Sequence, residues 1–380
     1  MAELSVRTLS PSQFVAEIGG ELTDIARCFR QLEDWGYIKL IEERPGRRQG
    51  SAIEHVYEGI GRAHFDAATW EMVPRSDRAV VSSSILDSYF ARISEAVRAG
   101  TFDQDLNRHL SWDNVGLDRV AWRELADKLD SVFGWLSELD ARDSNATDRE
   151  TMYAIVGLTA FRSPQPVEII LTAPRRKQPQ SPPEPTSDPF GIPPKMAKAL
   201  SNGWRCRILM ELTARPMSPS QFVEEIGGSL SHISRCFRQL ADWGYVEVIE
   251  EKKGGRRGGG IERIYRNTRR AYFDAGSWET LPRLVRTEVS WSFLSSYRDR
   301  IVEAVEAGTF DAEHDRHLSW TPIQIDRMTW DEIGETLDEV LDWLPELEGE
   351  SVDRTEGDPD QLIPTVVGMT SFRSPGPIAR

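Results

Sequence analysis

The chain reads as a mainly helical α+β protein in which one domain-sized plan is written twice. Three observations carry that reading. Residues 27–37 spell RCFRQLEDWGY and residues 235–245 spell RCFRQLADWGY, and the blocks 9–43 and 217–251 share 25 identities in 35 gapless positions. The offset of 208 persists beyond that block and pairs ten of the twelve tryptophans: Trp35/Trp243, Trp70/Trp278, Trp112/Trp320, Trp122/Trp330 and Trp135/Trp343. It moves by three residues at VGLTAFRSP (156–164) and VGMTSFRSP (367–375), so each copy spans about 165 residues. That is a domain's length, and too long for a solenoid repeat. Third, ten of the 22 prolines lie between Pro164 and Pro194, where they favour an extended spacer between the copies. A short strand at 167–171 is compatible with that stretch.

At 380 residues the chain can bury more than one sizeable core, and its 39% hydrophobic and 28% charged residues suit a soluble globular protein. No run of about 18 apolar residues occurs, so no membrane partner is expected. The start MAELSVRTLS has neither the charged nor the apolar region of a secretory signal. Three cysteines, Cys28, Cys206 and Cys236, give no disulfide framework and point to the reducing cytoplasm. The net charge of −15 argues against a basic coat protein for nucleic acid but leaves room for a locally basic surface.

The elements are clearest in copy two. Ala199, Leu200, Ile208, Leu209 and Leu212 suit an amphipathic helix within 196–216. Copy one begins at Met1, opposite Leu209, so most of that helix has no counterpart in the given chain. Either the true start lies upstream, or copy one completes its core another way. Ser218 is a good N-cap, Pro219 suits the first helical position, and Gln221 closes a capping box. Phe222, Val223 and Ile226 form the apolar face. Gly227-Gly228 breaks the helix, Leu230 anchors the turn, and Ser231 caps a second helix. In that helix Ile233, Cys236, Phe237 and Leu240 recur at i, i+3, i+4 and i+7, a buried stripe, and Gly244 is a left-handed C-cap. His232, Ser234, Arg235, Arg238 and Gln239 then face outward. Arginine pairs bidentately with guanine, and glutamine with adenine, in a major groove; a merely solvated face is the alternative. Residues 245–251 and 261–267 read as an antiparallel strand pair. Its tip, KKGGRRGGG, offers Lys252, Lys253, Arg256 and Arg257 to phosphates or a minor groove. A nucleotide-binding glycine loop would need a strand-to-helix setting and a Gly-Lys-Ser/Thr ending, and neither is present.

Helix, capped helix, outward-reading helix ending in Leu-x-x-x-Gly-Tyr, and a basic β-wing together resemble the winged helix-turn-helix of bacterial ArsR-type transcriptional regulators. The likeness covers about 60 to 75 residues of each copy. It implies dimeric DNA-binding regulation, with residues 231–239 reading bases and the wing at 252–257 touching the backbone. In copy one the matching positions are Asp24, Arg27, Arg30 and Gln31, with Arg44, Arg47 and Arg48 in its wing. Metal-sensing members carry a cysteine-rich motif near the reading helix. Here that helix holds only Cys28 or Cys236, on the buried stripe, so no metal or other cofactor is implied.

Two charge counts separate the copies. Residues 217–274 hold ten Lys/Arg and eight Asp/Glu, a net of +2, whereas residues 9–66 hold seven and ten, a net of −3. Asp24 also stands where copy two has His232. Copy two is therefore expected to be the stronger DNA reader, the single chain acting as a pseudo-dimer. Homodimerisation stays open.

The division expected is a first head at 1–75 with its first helix largely missing, a helical region at 76–163, and a linker at 164–194. A second head at 195–283 and its helical region at 284–380 follow. In that last region Leu337, Val340, Leu341 and Leu344 sit at helical spacing, the outer face is acidic, and IPTVVGMTSFRSP reads as a strand. The paired tryptophans are expected to build an aromatic core rather than a ligand cage. His314, Asp315 and His317 make a sparse cluster, but Leu106 stands opposite His314, which argues against a shared metal site. His109 and His317 are expected to be structural. No Ser-His-Asp or Cys-His arrangement stands out, so enzymatic activity is not expected. Two other readings remain: a protein-interaction module on the same heads, and a small-molecule sensor in the tryptophan-rich halves.

Overall fold

The computed structural model describes residues 8–45, 53–59, 67–143, 151–166, 195–253, 261–268 and 278–375. The segment 167–171, read above as compatible with a strand, lies outside them. The chain is α+β, helical in the main, with antiparallel sheets. Copy one runs α1 (Pro11–Ile18), α2 (Leu22–Asp34), β1 (Ile38–Arg44), β2 (Glu54–Gly59), α3 (Ala67–Met72), α4 (Arg75–Ala99), β3 (His109–Leu117), α5 (Arg119–Asp143) and β4 (Met152–Arg162). Copy two runs α6 (Lys195–Leu200), α7 (Gly203–Ala214), α8 (Pro219–Glu225), α9 (Leu230–Asp242), β5 (Val246–Lys253), β6 (Ile261–Asn267), α10 (Arg283–Glu306), β7 (His317–Ile325), α11 (Arg327–Arg354) and β8 (Ile363–Arg373). The single helix expected before Ser218 is two helices. The chain breaks at Ser201, and Asn202 caps α7 by accepting from the Arg205 backbone N–H at 3.1 Å. His109–Leu117 and His317–Ile325 are strands as well, a pairing of elements the tryptophan spacing alone does not reveal.

The C-terminal halves of the two copies share one sheet. Its order is β3–β8–β4–β7, antiparallel throughout. Every ladder therefore joins a strand of one copy to a strand of the other. The centre is Leu158 opposite Met369, and Ala154↔Arg373 mirrors Arg162↔Thr365, so the two copies are related by a local two-fold. Strand β3 pairs His109 with Ser371, and β7 repeats this with His317 opposite Ala160.

Both faces of the sheet are covered, which is why β4 and β8 read as near-continuous apolar runs. On one face α5 and α11 pack crosswise, α5 of copy one on β7 and α11 of copy two on β3. Trp122, Leu129 and Leu136 of α5 and Trp330, Leu337 and Leu344 of α11 are buried there against Val156, Leu158, Val367 and Met369. The other face carries α4 and α10. Their Tyr89 and Tyr297 are fully buried and hydrogen-bond to Thr370 and Thr159, each on the other copy's strand. Burial pushes both phenols above their ordinary range. Each ring lies over the glycine of the repeated V-G-x-T motif: a Cβ at Gly157 would meet Tyr89 Oη at 2.3 Å, and one at Gly368 would meet Tyr297 Oη at 2.3 Å.

Polar side chains repeat the exchange. His109 Nδ1 lies 2.9 Å from Asp338 and His317 Nδ1 lies 2.8 Å from Asp130. The indole N–H groups of Trp122 and Trp330 donate to Asp315 at 2.7 Å and Asn107 at 2.6 Å. Arg108 stacks on Trp278 at 4.3 Å and Arg316 on Trp70 at 4.1 Å. Trp70, Trp112, Trp122, Trp278 and Trp330 are thus buried in the core and four of them are cross-copy anchors, whereas Trp35 is exposed, which corrects the expectation that all the paired tryptophans build a core; His109 and His317 are buried parts of the seam.

Gly157→Ala or Gly368→Ala should destabilise the chain by about 1–3 kcal/mol, because the buried tyrosine has nowhere to move. Gly134→Ala and Gly349→Ala, helical glycines with nothing near the added Cβ, should instead stabilise by about 0.5–1 kcal/mol. Thermal and denaturant unfolding of the four variants read the opposite signs.

Candidate nucleic-acid interface

In each copy a helix pair precedes a hairpin. Ser218 accepts from the Gln221 backbone N–H while the Gln221 side chain accepts from that of Ser218, closing the expected capping box; Ser10 and Gln13 repeat it. Each cap serine also donates at 2.5 Å to a glutamate on the second hairpin strand, Ser218 to Glu262 and Ser10 to Glu54. The cap thus holds the helix against the hairpin. The turn then differs from its sequence reading in one detail. Ser229, not Ser231, caps α9, accepting from the His232 backbone N–H at 3.4 Å. Leu230 consequently falls in the first helical turn and stands exposed rather than anchoring the turn.

Helix α9 buries Ile233, Cys236, Phe237 and Leu240 as expected, and Gly244 has φ of 79°. Burial pushes the Cys236 thiol up from its ordinary range and that of Cys206 to about 12, the state of inert core thiols. On the outer face Arg235 and Arg238 are exposed, and His232 and Ser234 before them are half-buried. Arg235 lies 3.5 Å from His232 Nδ1, and Arg238 Nε donates to the Ser234 carbonyl at 3.2 Å. Gln239 is already engaged, since Arg205 of α7 donates to its Oε1 at 3.2 Å. Lys252 lies 3.4 Å from Glu250 at the base of the wing. Lys253 ends β5, while Arg256 and Arg257 lie outside the described residues. Arg263 and Arg266 of β6, which the sequence reading did not single out, pair across the hairpin with Glu251 at 2.9 Å and Glu247 at 3.1 Å; three residues apart, they lie on opposite faces of the strand, and the acidic residues facing them on the partner strand were the available signal.

Copy one differs in its support. In copy two, α7 packs on α9, on β6, on α10 and on β3 of the other copy. Arg207 and Arg300, with Glu211 and Glu303, form a buried ion cluster that ties α7 to α10, with Arg207 2.6 Å from both glutamates. No described element of copy one corresponds to α7. Its head has a separate core of Leu9, Phe29, Ile38 and Tyr57. The partners of Tyr245 and Cys236, namely Tyr37 and Cys28, are exposed, so the expectation that Cys28 lies on a buried stripe is corrected. On α2 Arg27 is bound to Asp24 at 2.8 Å, and Arg30 and Gln31 are exposed. In its hairpin Arg44 pairs with Glu42 at 2.7 Å; Arg47 and Arg48 lie outside the described residues.

Among the described residues no group of three or more His, Cys, Asp or Glu side chains is placed to hold a metal ion, and no helix is long and apolar enough to cross a membrane. His317 is turned to Asp130 and Asp315 to Trp122, which uses two members of the sparse cluster. Comparisons with protein families, curated proteins and solved structures find no match. The functional reading therefore stands on the residues themselves.

The unequal backing of the two heads has a measurable consequence. One buried side chain on α2 against four on α9 is a difference of several kcal/mol of apolar burial. Backbone amides of α2 should exchange with solvent at least about a hundredfold faster than those of α9, as read by hydrogen–deuterium exchange mass spectrometry.

Proposed function

We propose that the chain is a sequence-specific DNA-binding transcriptional regulator, a single-chain pseudo-dimer of two winged helix-turn-helix heads of the ArsR type. Helices α9 and α2 would enter major grooves while the hairpins meet the flanking backbone. The observation that carries this reading is α9: its inner stripe is fully buried against α7 and the hairpin, and its outer face presents Arg235 and Arg238. A rigidly backed helix holding two exposed arginines over a head of net charge +2 suits phosphate attraction and guanine readout. The two-fold of the shared sheet relates the heads' attachment points as paired half-sites would require.

The heads are unequal readers in this account. Asp24 neutralises Arg27 and repels phosphate, whereas His232 at the matching place does neither. A second reading attaches to head one alone. Trp35 and Tyr37 stand exposed at the end of a helix whose Arg27 is paired, whereas Tyr245 of head two is buried, which suits contact with another protein.

Selection of duplexes from a random pool at two salt concentrations tests the proposal. Two spaced half-sites, with affinity falling steeply as salt rises, are expected. Recovery of one half-site would assign head one to the protein-contact reading. No enrichment by folded protein would overturn DNA binding. On the selected duplex, Arg235→Ala with Arg238→Ala should cost about 2–4 kcal/mol of affinity, and Arg27→Ala with Arg30→Ala at least tenfold less in the binding constant than that loss, about 1.4 kcal/mol. Equal losses in a fluorescence anisotropy titration would contradict the asymmetry.

A further inference from the structure

A cavity of about 350 Å³ lies at the joint between head two and the shared sheet. Strand β3 of copy one forms one wall, and α6, α7, α10 and α11 of copy two form the rest. Trp112, Trp278, Phe293, Leu209 and Met210 give it an aromatic and apolar lining. Four carboxylates also reach it: Asp113, Asp331, Glu335 and Asp338.

The positive or titratable groups nearby, Arg108, Arg327 and His109, are fewer than the carboxylates, and the two arginines are shared with acids outside the cavity. Arg108 lines the cavity, but its Nε lies 2.7 Å from Asp103, outside it, and its guanidinium stacks on Trp278. Arg327, 3.4 Å from Asp331, is held at 2.6 Å by Asp105. His109 sits between Asp338 and Ser111. The space is therefore left with an excess of negative charge beside aromatic faces.

The two-fold does not reproduce this chemistry. At the mirror position Thr321 replaces Asp113, Arg123 replaces Asp331 and Ala126 replaces Gly334, whose added Cβ would lie 3.3 Å from the Asn107 carbonyl. No described element of copy one supplies the wall that α7 gives. The site is built once per chain.

We propose that this cavity binds one small organic cation with an aromatic body, and that the bound molecule adjusts the seating of head two. Cation–π attraction and the carboxylates select the charge, and the volume fits an aromatic body of fused-ring size. The adjustment follows from the lining. Asn114 of β3 donates to the Met210 carbonyl and to Thr213, both at 3.0 Å, and so holds α7 to the sheet. The next carbonyl, Leu209, accepts at 2.8 Å from Asn267 at the end of the hairpin. A ligand against Leu209 and Met210 thus presses on a helix that joins the sheet to α9 and β6. Binding is independent of the DNA-reading proposal; only its regulatory use rests on that proposal.

Calorimetry on the full chain without DNA keeps the two separate. The probe is (1-naphthyloxy)ethylammonium, compared with 1-naphthyloxyacetate, which has a similar body and ether oxygen but the opposite charge. The expected result is one site per chain, with the cation binding at least about tenfold tighter than the anion. Asp331→Asn with Glu335→Gln, two solvent-touching positions on one helix, should weaken the cation at least about fivefold with thermal stability retained. Asp127→Asn at the mirror position should leave it unchanged. Two sites per chain, equal affinity for the anion, an unaffected double variant or no binding of the cation up to about 10 mM would each overturn the proposal.

Discussion

Backbone N–H and C=O groups buried between layers of helices must be paired, and in this protein the four central strands pair only across the seam between the two copies. Among the described residues none of β3, β4, β7 or β8 has a sheet neighbour from its own copy. The helices follow the same exchange, since α5 of copy one covers β7 and α11 of copy two covers β3. So do the polar contacts: the tryptophan indoles, the two buried histidines and the stacked arginines all reach into the other half. A linker joining two such halves does not merely tether them. It makes the partner of each strand part of the same molecule, so the sheet forms at a stoichiometry that dilution cannot change.

That shared sheet fixes where everything else hangs. Tyr89 and Tyr297 rest on Gly157 and Gly368 and close the seam from the side of α4 and α10. Head two is then locked down through α7, whose Arg207 and Glu211 meet Arg300 and Glu303 of α10 in a buried ion cluster. Taking one partner from such a cluster leaves an uncompensated charge, which is why geometry of this kind resists displacement. Head one has a core of its own and no such anchor among the described residues. The duplication therefore produced unequal halves on an equal base: one head rigidly seated with exposed arginines, the other with Arg27 tied to Asp24, and Trp35 and Tyr37 exposed.

Much of this was legible in the sequence where it depends on local rules. The capping box at Ser218, the stripe Ile233–Leu240, the left-handed Gly244 and the paired strands of the wing follow from spacing within a dozen residues. The strand at 363–373 was visible from its apolar run. What could not be read is what depends on distant partners. HLSWDNVGL does not announce a strand by alternation, because both of its faces are buried. Nothing local in VGLTAFRSP says that its glycine receives a tyrosine ring, or that its threonine is bound by the tyrosine of the other copy. The cap at Ser229 was missed because two serines, two residues apart, both suit the role, and only the packing of the glycine turn selects between them. Cys28 was assigned a buried place by analogy with Cys236. In copy two α7 covers the stripe, and no described element of copy one does so, which periodicity within α2 cannot reveal. The cavity under head two was invisible for the same reason: its walls come from residues more than 200 positions apart.

The exchange of strands between copies is tested most directly by separating them. The protein is to be cut within the proline-rich segment 164–194, and each half characterised by sedimentation velocity and circular dichroism, alone and mixed. The account predicts that the halves combine into a folded one-to-one complex. It also predicts that neither half alone is a folded monomer, each being unfolded in its C-terminal region or paired with a second copy of itself. A half that sediments as a well-folded monomer would show that its strands find partners within their own copy, and would contradict the account.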